Sequence, residues 1–149
     1  MRGKERKPAL EWNEELEVGV ALLDAQHRAM TDLINDLHQA VDGGADPEVT
    51  GKLFSELVAV TVQHFATEEA LFPEVHYPEA DHHRAWHHKL RKELAVLASE
   101  VASGWRKVDT DLIDWLKGWF VNHVVVADRP FALAVRGAFP DASIRNQAL

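Results

Sequence analysis

A chain of 149 residues with 46% hydrophobic side chains can bury one substantial core and is short for two domains, so a single domain over 1–149 is expected, with its core at about 10–131 and a C-terminal extension over 132–149. The absence of Cys excludes disulfides, thiolate metal sites, iron–sulfur clusters and a Cys nucleophile, and leaves His and carboxylates as the only strong metal ligands. The net charge is −8 although four of the 16 basic residues crowd into the opening MRGKERK, which argues against a nucleic-acid partner; no apolar run is long enough for a signal peptide or membrane span, so a cytoplasmic protein is expected.

In chain order, residues 8–18 (PALEWNEELEV) lack a helical period and read as an arm laid over the core, with Trp12 as its anchor. From Gly19 onward, Leu23, His27, Met30, Ile34, Leu37 and Val41 recur at steps of four and three, the seam of a bundle helix that Asp42-Gly43-Gly44 ends. Asp46-Pro47 opens a second helix whose stripe is Leu53, Leu57, Val60, His64 and Leu71, with Glu68 beside it, fading near Phe72-Pro73. After the Tyr77-Pro78 break, a third helix carries Ala80, His83, His87, Leu90, Leu94, Leu97 and Val101 and closes at Ser103-Gly104. Asp109 or Thr110 can cap the fourth, with seam Leu112, Leu116, Trp119, His123 and Val126. Pro130 disfavours helix at Arg129, so this helix is expected to end near Asp128, with a short helical piece and a frayed tail after it. No strand pattern competes, and the predicted fold is all-α: an up-down-up-down antiparallel four-helix bundle with an N-terminal arm.

Every seam is interrupted by His. His64 with Glu68, and His83 with His87, are spaced i, i+4, which leaves the two side chains only about 40° apart on one helical face. Counted from the loops, the interruptions also share one height. His27 lies 14 residues before Val41 and His64 lies 17 after Pro47; Glu68 is five before Pro73 and His83 five after Pro78; His87 is 16 before Ser103 and His123 is 14 after Asp109. Five imidazoles and a carboxylate should therefore converge in the core, where unpaired polar groups are costly. A hydrogen-bonded layer that sets register would satisfy a single seam His. Five at one height favour metal, and with Glu68 they exceed the four ligands of a structural zinc. Asp128 is a candidate second bridge, although five residues from His123 put it about 140° off the seam; only a helix end or a π-bulge beside Pro130 would turn it inward.

The order His27, His64-xxx-Glu68, His83-xxx-His87 after Tyr77-Pro78, then His123-xxxx-Asp128 resembles the hemerythrin family, as do LEWNEELEVGVALLDAQH and WFVNHVVVAD, over roughly residues 10–131. The resemblance implies a non-haem centre of two iron ions that binds O₂ reversibly. Carried over, His83, His87 and His123 hold one iron, His27 and His64 hold the other, and Glu68 and Asp128 bridge them with an oxo or hydroxo oxygen. One position on the second iron stays open for O₂ or for small anions such as azide, and apolar neighbours exclude water. Phe120 departs from the family's usual leucine where the O₂ pocket is lined; it is expected to narrow that pocket, with Ala127 or Ala66 giving room.

His82, His88 and His76 are expected to be partly solvated, His38 to lie at the surface, and Trp119 to pack over the cluster. The leading function is an O₂ carrier, store or sensor module rather than an enzyme. The alternatives are a di-iron oxidase or peroxidase and an iron or nitric-oxide handling protein. Ferritin-like oxygen-activating enzymes use two Glu-x-x-His elements, and only Glu79 to His82 has that spacing here.

Overall fold

The computed structural model describes residues 9–140. Its helices are α1 (Ala21–Asp42), α2 (Pro47–Leu71), α3 (Ala80–Ala102), α4 (Thr110–Asn122) and α5 (Arg129–Ala138), with one π-helical turn, His123–Asp128, joining α4 to α5. Short connections make successive helices antiparallel; α1 packs on α2, α2 on α3, and α4 returns against α1. This is the expected up-down-up-down bundle. Among the described residues no helix is long and apolar enough to cross a membrane.

The helix ends follow local chemistry. Asp109 accepts a hydrogen bond from the Leu112 N–H and caps α4, whereas Asp46 occupies the N-cap of α2 without a side-chain bond and Pro47 sets the first turn. Gly44 (φ 72°) and Gly104 (φ 81°) supply the left-handed residues after α1 and α3. The arm is tied down from α1: Asn35 bonds both the N–H and the C=O of Leu10, and Asp24 accepts from the N–H groups of Val18 and Gly19. Its anchors are Leu16, Val18 and Val20, all buried. Trp12, the expected anchor, is only half-buried and carries the Arg28 guanidinium 4.6 Å from its ring centroid.

Three expectations on phase are corrected. On α2 the deeply buried face is Phe54, Leu57, Thr61, His64, Phe65 and Glu68, while Leu53, Val60 and Leu71 are half-buried. The apolar face is wide here, because residues one apart both reach the core where α1 and α3 flank the helix. The fourth rod does not end at Asp128: helical backbone continues to Ala138, with Phe131, Ala132 and Val135 fully buried, so core side chains run past residue 131. Arg129, despite preceding proline, is helical (φ −62°, ψ −47°), and its N–H bonds the Val124 carbonyl five residues back. A proline ring collides with the carbonyl four residues earlier, here Val126, and the widened turn moves that carbonyl aside. The same turn shifts the phase of the seam. Val126 is therefore 53% exposed, and Val124 and Ala127 take the inside positions. The short helical piece expected within 131–149 is the later part of α5, and the frayed tail expected after it falls on residues beyond 140, outside those described.

Candidate metal centre

His27 on α1, His64 and Glu68 on α2, His83 and His87 on α3, and His123 and Asp128 at the two ends of the π turn meet at one level, each at most 3% exposed. Asp128 is inside because bonding five residues back returns it to the face of His123. Ring nitrogens and carboxylate oxygens fall into two groups, each within 4.8 Å: Glu68, His83, His87, His123 and Asp128, and His27, His64, Glu68 and Asp128. The carboxylates belong to both. Asp128 turns Oδ2 to His27 Nε2 (2.8 Å) and His64 Nε2 (2.9 Å), and Oδ1 to His123 Nε2 (3.1 Å) and His83 Nε2 (3.2 Å). Glu68 turns Oε2 to His64 Nε2 (3.4 Å) and Oε1 to His87 Nε2 (3.1 Å) and His83 Nε2 (3.3 Å). Each carboxylate thus offers one oxygen to each set of imidazoles.

Asp128 Oδ2 is hydrogen-bonded to His27 and His64, but most of the other inward-facing atoms have no such partner. Both Glu68 oxygens, Asp128 Oδ1 and the Nε2 atoms of His83, His87 and His123 are buried without a hydrogen bond. Such groups in a close-packed core call for a partner that fills the space between them. Electrostatics asks for the same partner. Burial, and then the Asp128 charge, push the Glu68 carboxyl up, yet the facing His64, His123 and His83 outweigh both and bring it to about 2. Burial also raises Asp128, and His123, His27 and His64 carry it well below the usual carboxylate range. Burial lowers His123, but the two carboxylates lift it to about 10. They likewise raise His83 against burial, whereas burial prevails at His27 and His87 and lowers both. Two buried carboxylates thus demand positive charge, which protons on imidazole or metal cations can supply. A nitrogen- and oxygen-only donor set of this size suits iron.

Phe65 stacks on His87 (centroids 4.1 Å apart, planes at 15°), Phe72 and Phe131 lie 5.1 and 5.8 Å from His83, and Trp86 stands edge-on to His123 at 5.8 Å. Trp119 lies 5.9 Å from His123 and 6.2 Å from Phe65. Phe120 is fully buried and edge-on to His27 at 6.0 Å. Ala127 is buried beside Asp128, but Ala66 is exposed and gives Phe120 no room. His76, His82 and His88 are exposed, and His38 is half-buried.

Sequence reasoning missed the outer partners of the imidazoles. His87 Nδ1 donates to Glu69 Oε2 (2.8 Å), and Arg91 grips both oxygens of that carboxylate at 2.8 and 3.1 Å. His64 Nδ1 donates to Gln26 Oε1 (2.8 Å). Their signals are weak but present: Glu69 and Gln26 adjoin Glu68 and His27 in the chain, and Arg91 is one turn beyond His87.

The pattern of the hemerythrin HHE cation-binding domain matches residues 18–131. The chain belongs to the hemerythrin family. It is 30% identical over 127 residues to the bacteriohemerythrin of Stenotrophomonas maltophilia, covering 85% of this chain and 82% of that one. It is 32% identical over 137 residues to the bacteriohemerythrin of Ralstonia nicotianae, covering 91% and 95%. Crystal structures of wild-type hemerythrin and of a leucine-to-tyrosine mutant superpose with TM-scores of 0.80 and 0.82 at 27% identity, covering 85% and 87% of this chain and 98% of each of theirs. Membership of the hemerythrin family makes non-haem iron the cofactor of this site.

Proposed function

We propose that this chain binds O₂ reversibly at a centre of two iron ions, as an oxygen carrier, store or sensor module. The observation that carries the reading is the paired cluster: two sets of imidazoles share the same two carboxylates, each carboxylate facing one oxygen to each set. His83, His87 and His123 would hold one ion and His27 and His64 the other, with Glu68 and Asp128 bridging. When bound, the iron pair supplies the two electrons that O₂ accepts and returns.

The chain's own residues give that chemistry its surroundings. Glu68 and Asp128 neutralise charge without leaving the core. Phe65, Phe72, Phe131 and Phe120 form a wall that keeps water and outside protons from the centre. Glu69 and Gln26 accept the Nδ1 protons of His87 and His64, which turns the Nε2 lone pairs inward. An oxidase or peroxidase reading finds less support, since Glu79 and His82, the sole Glu-x-x-His pair, are both exposed. We further propose a cytoplasmic setting and a binding rather than catalytic role, with azide as a ligand analogue.

The optical spectrum of the reduced protein before and after air, taken with a metal count, tests the reading. Two irons per chain and an absorption band that appears with O₂ and disappears on its removal are expected. One ion per chain, or zinc held in preference to iron, would overturn it.

A further inference from the structure

An imidazole holds a metal through a bare lone pair, so a neutral His that uses Nε2 must carry its proton on Nδ1. The structure secures this differently for His87 and His64. Behind His87 stands a carboxylate, Glu69, whose two oxygens can only accept, so no choice of orientation arises. Behind His64 stands the Gln26 amide. Turned by 180°, that amide keeps nearly the same shape but offers NH₂ to Nδ1, which would drive the His64 proton onto Nε2 and block the metal face. Something must select one orientation.

The selection comes from α2. Gln26 Nε2 lies 3.0 Å from Thr67 Oγ1, and Thr67 Oγ1 lies 3.1 Å from the Gln63 carbonyl oxygen. A hydroxyl has one proton and a carbonyl can only accept. With the Thr67 proton given to Gln63, Oγ1 is left to accept from the Gln26 NH₂; the amide oxygen then faces His64. We propose that Thr67 is a positioning residue for the metal centre: by donating its single hydroxyl proton to the Gln63 carbonyl it orients Gln26, and through Gln26 it keeps His64 in the tautomer that presents Nε2 to the metal. The inference rests on the metal-binding reading above. It assigns a function to a half-buried threonine that is not itself among the ligands of the centre. It also makes the two outer partners unequal, since only the neutral one needs a selector.

Valine matches threonine in shape but has no hydroxyl, and half-burial lets it replace Thr67 without disturbing the core. The test compares wild type, Thr67→Ser and Thr67→Val, each with Gln26 and with Gln26→Glu, all loaded with ferrous iron. Two quantities are read: transfer of iron to excess ferrous chelator, and D₂O exchange of the hyperfine-shifted imidazole N–H resonances. Thr67→Val should release iron about tenfold faster and speed the exchange of one N–H, while Thr67→Ser behaves as wild type. With Gln26→Glu both side-chain oxygens accept, no orientation has to be selected, and Thr67→Val should have no effect. Unchanged release and exchange in Thr67→Val, equal changes in Thr67→Ser, or an effect that persists with Gln26→Glu would overturn the proposal. The iron content of the wild type, measured first, tests the metal-binding reading separately.

Discussion

The two sides of the cluster are made from the same carboxylates and otherwise differ. Around His83, His87 and His123 there are three imidazoles, a stacked Phe65, and a charged outer partner, Glu69, clamped by Arg91. Around His27 and His64 there are two imidazoles, the edge of Phe120, and a neutral outer partner, Gln26. A carboxylate behind an imidazole makes it a stronger donor than an amide does. On the function proposed above, the difference teaches a division of labour: the three-imidazole side would have the ligands and charge to retain an ion, and the two-imidazole side, with fewer donors, would leave a position for an incoming molecule.

The most severe way to break the comparison is to remove a group common to both sides. Glu68→Ala should weaken iron retention by more than about a hundredfold, beyond what loss of an outer partner costs, and a chelator-competition assay would register loss of both ions. Removing one imidazole from each side should then separate them. His87→Ala is expected to lower iron content, and His64→Ala to diminish the O₂ difference spectrum out of proportion to its iron loss; equal loss of O₂ binding at equal iron content would contradict the division.

Stripping the iron should destabilise the whole bundle, since the polar layer then lacks its partner. An ion bound at a thousand times its Kd is worth about 4 kcal/mol, so calorimetry should show Tm lower by about 10 °C. In the stripped protein the imidazoles should also set a pH optimum. His123 is lifted to about 10, so the stability it contributes is complete below its unfolded value of 6.5 and disappears as pH rises toward 10. His27 and His87 are lowered, so below 6.5 the unfolded chain takes up protons that the folded chain refuses, and stability falls there too. Denaturant titrations across pH 5–10 should peak near neutrality; a curve rising steadily to pH 10 would contradict the His123 assignment. The smallest effect is expected at Phe120. Phe120→Leu removes volume beside His27 and should speed azide and O₂ entry a few-fold in stopped flow, with iron content unchanged; no acceleration would mean that Phe120 does not border the entry route.

The ring of imidazoles was legible because bundle helices are rods of constant rise, so residue counts from short loops become heights. Asp128 was legible only conditionally. Its five-residue spacing contradicts an α-helix, and Pro130 was the one sign of a wider turn. The same turn hid what followed: Val126 was misplaced because α-helical phase was carried through residues that do not have it, and Val135 lay beyond an apparent helix end. Glu69, Gln26 and Thr67 were illegible for another reason. They are polar residues on helix flanks with no periodic signal, and their roles exist only as hydrogen bonds between different helices.

The π turn also restricts how this sequence can change length. It acts as a one-residue phase shifter between two stretches of helix, set so that Asp128 faces the cluster while Phe131, Ala132 and Val135 face the core. Deleting any one residue from 124–127 would let the rod close as regular α-helix with everything after it still in phase, whereas closing the turn with all its residues retained would rotate everything after it by about 100°. In that second case Asp128 would leave the centre, and the buried face of α5 would leave the core in the same motion. A single-residue deletion here can be absorbed, because it brings the spacing from His123 to the carboxylate from five residues to the four of a regular helix; a single-residue insertion cannot, because ligand placement and terminal-helix packing share one rotational setting.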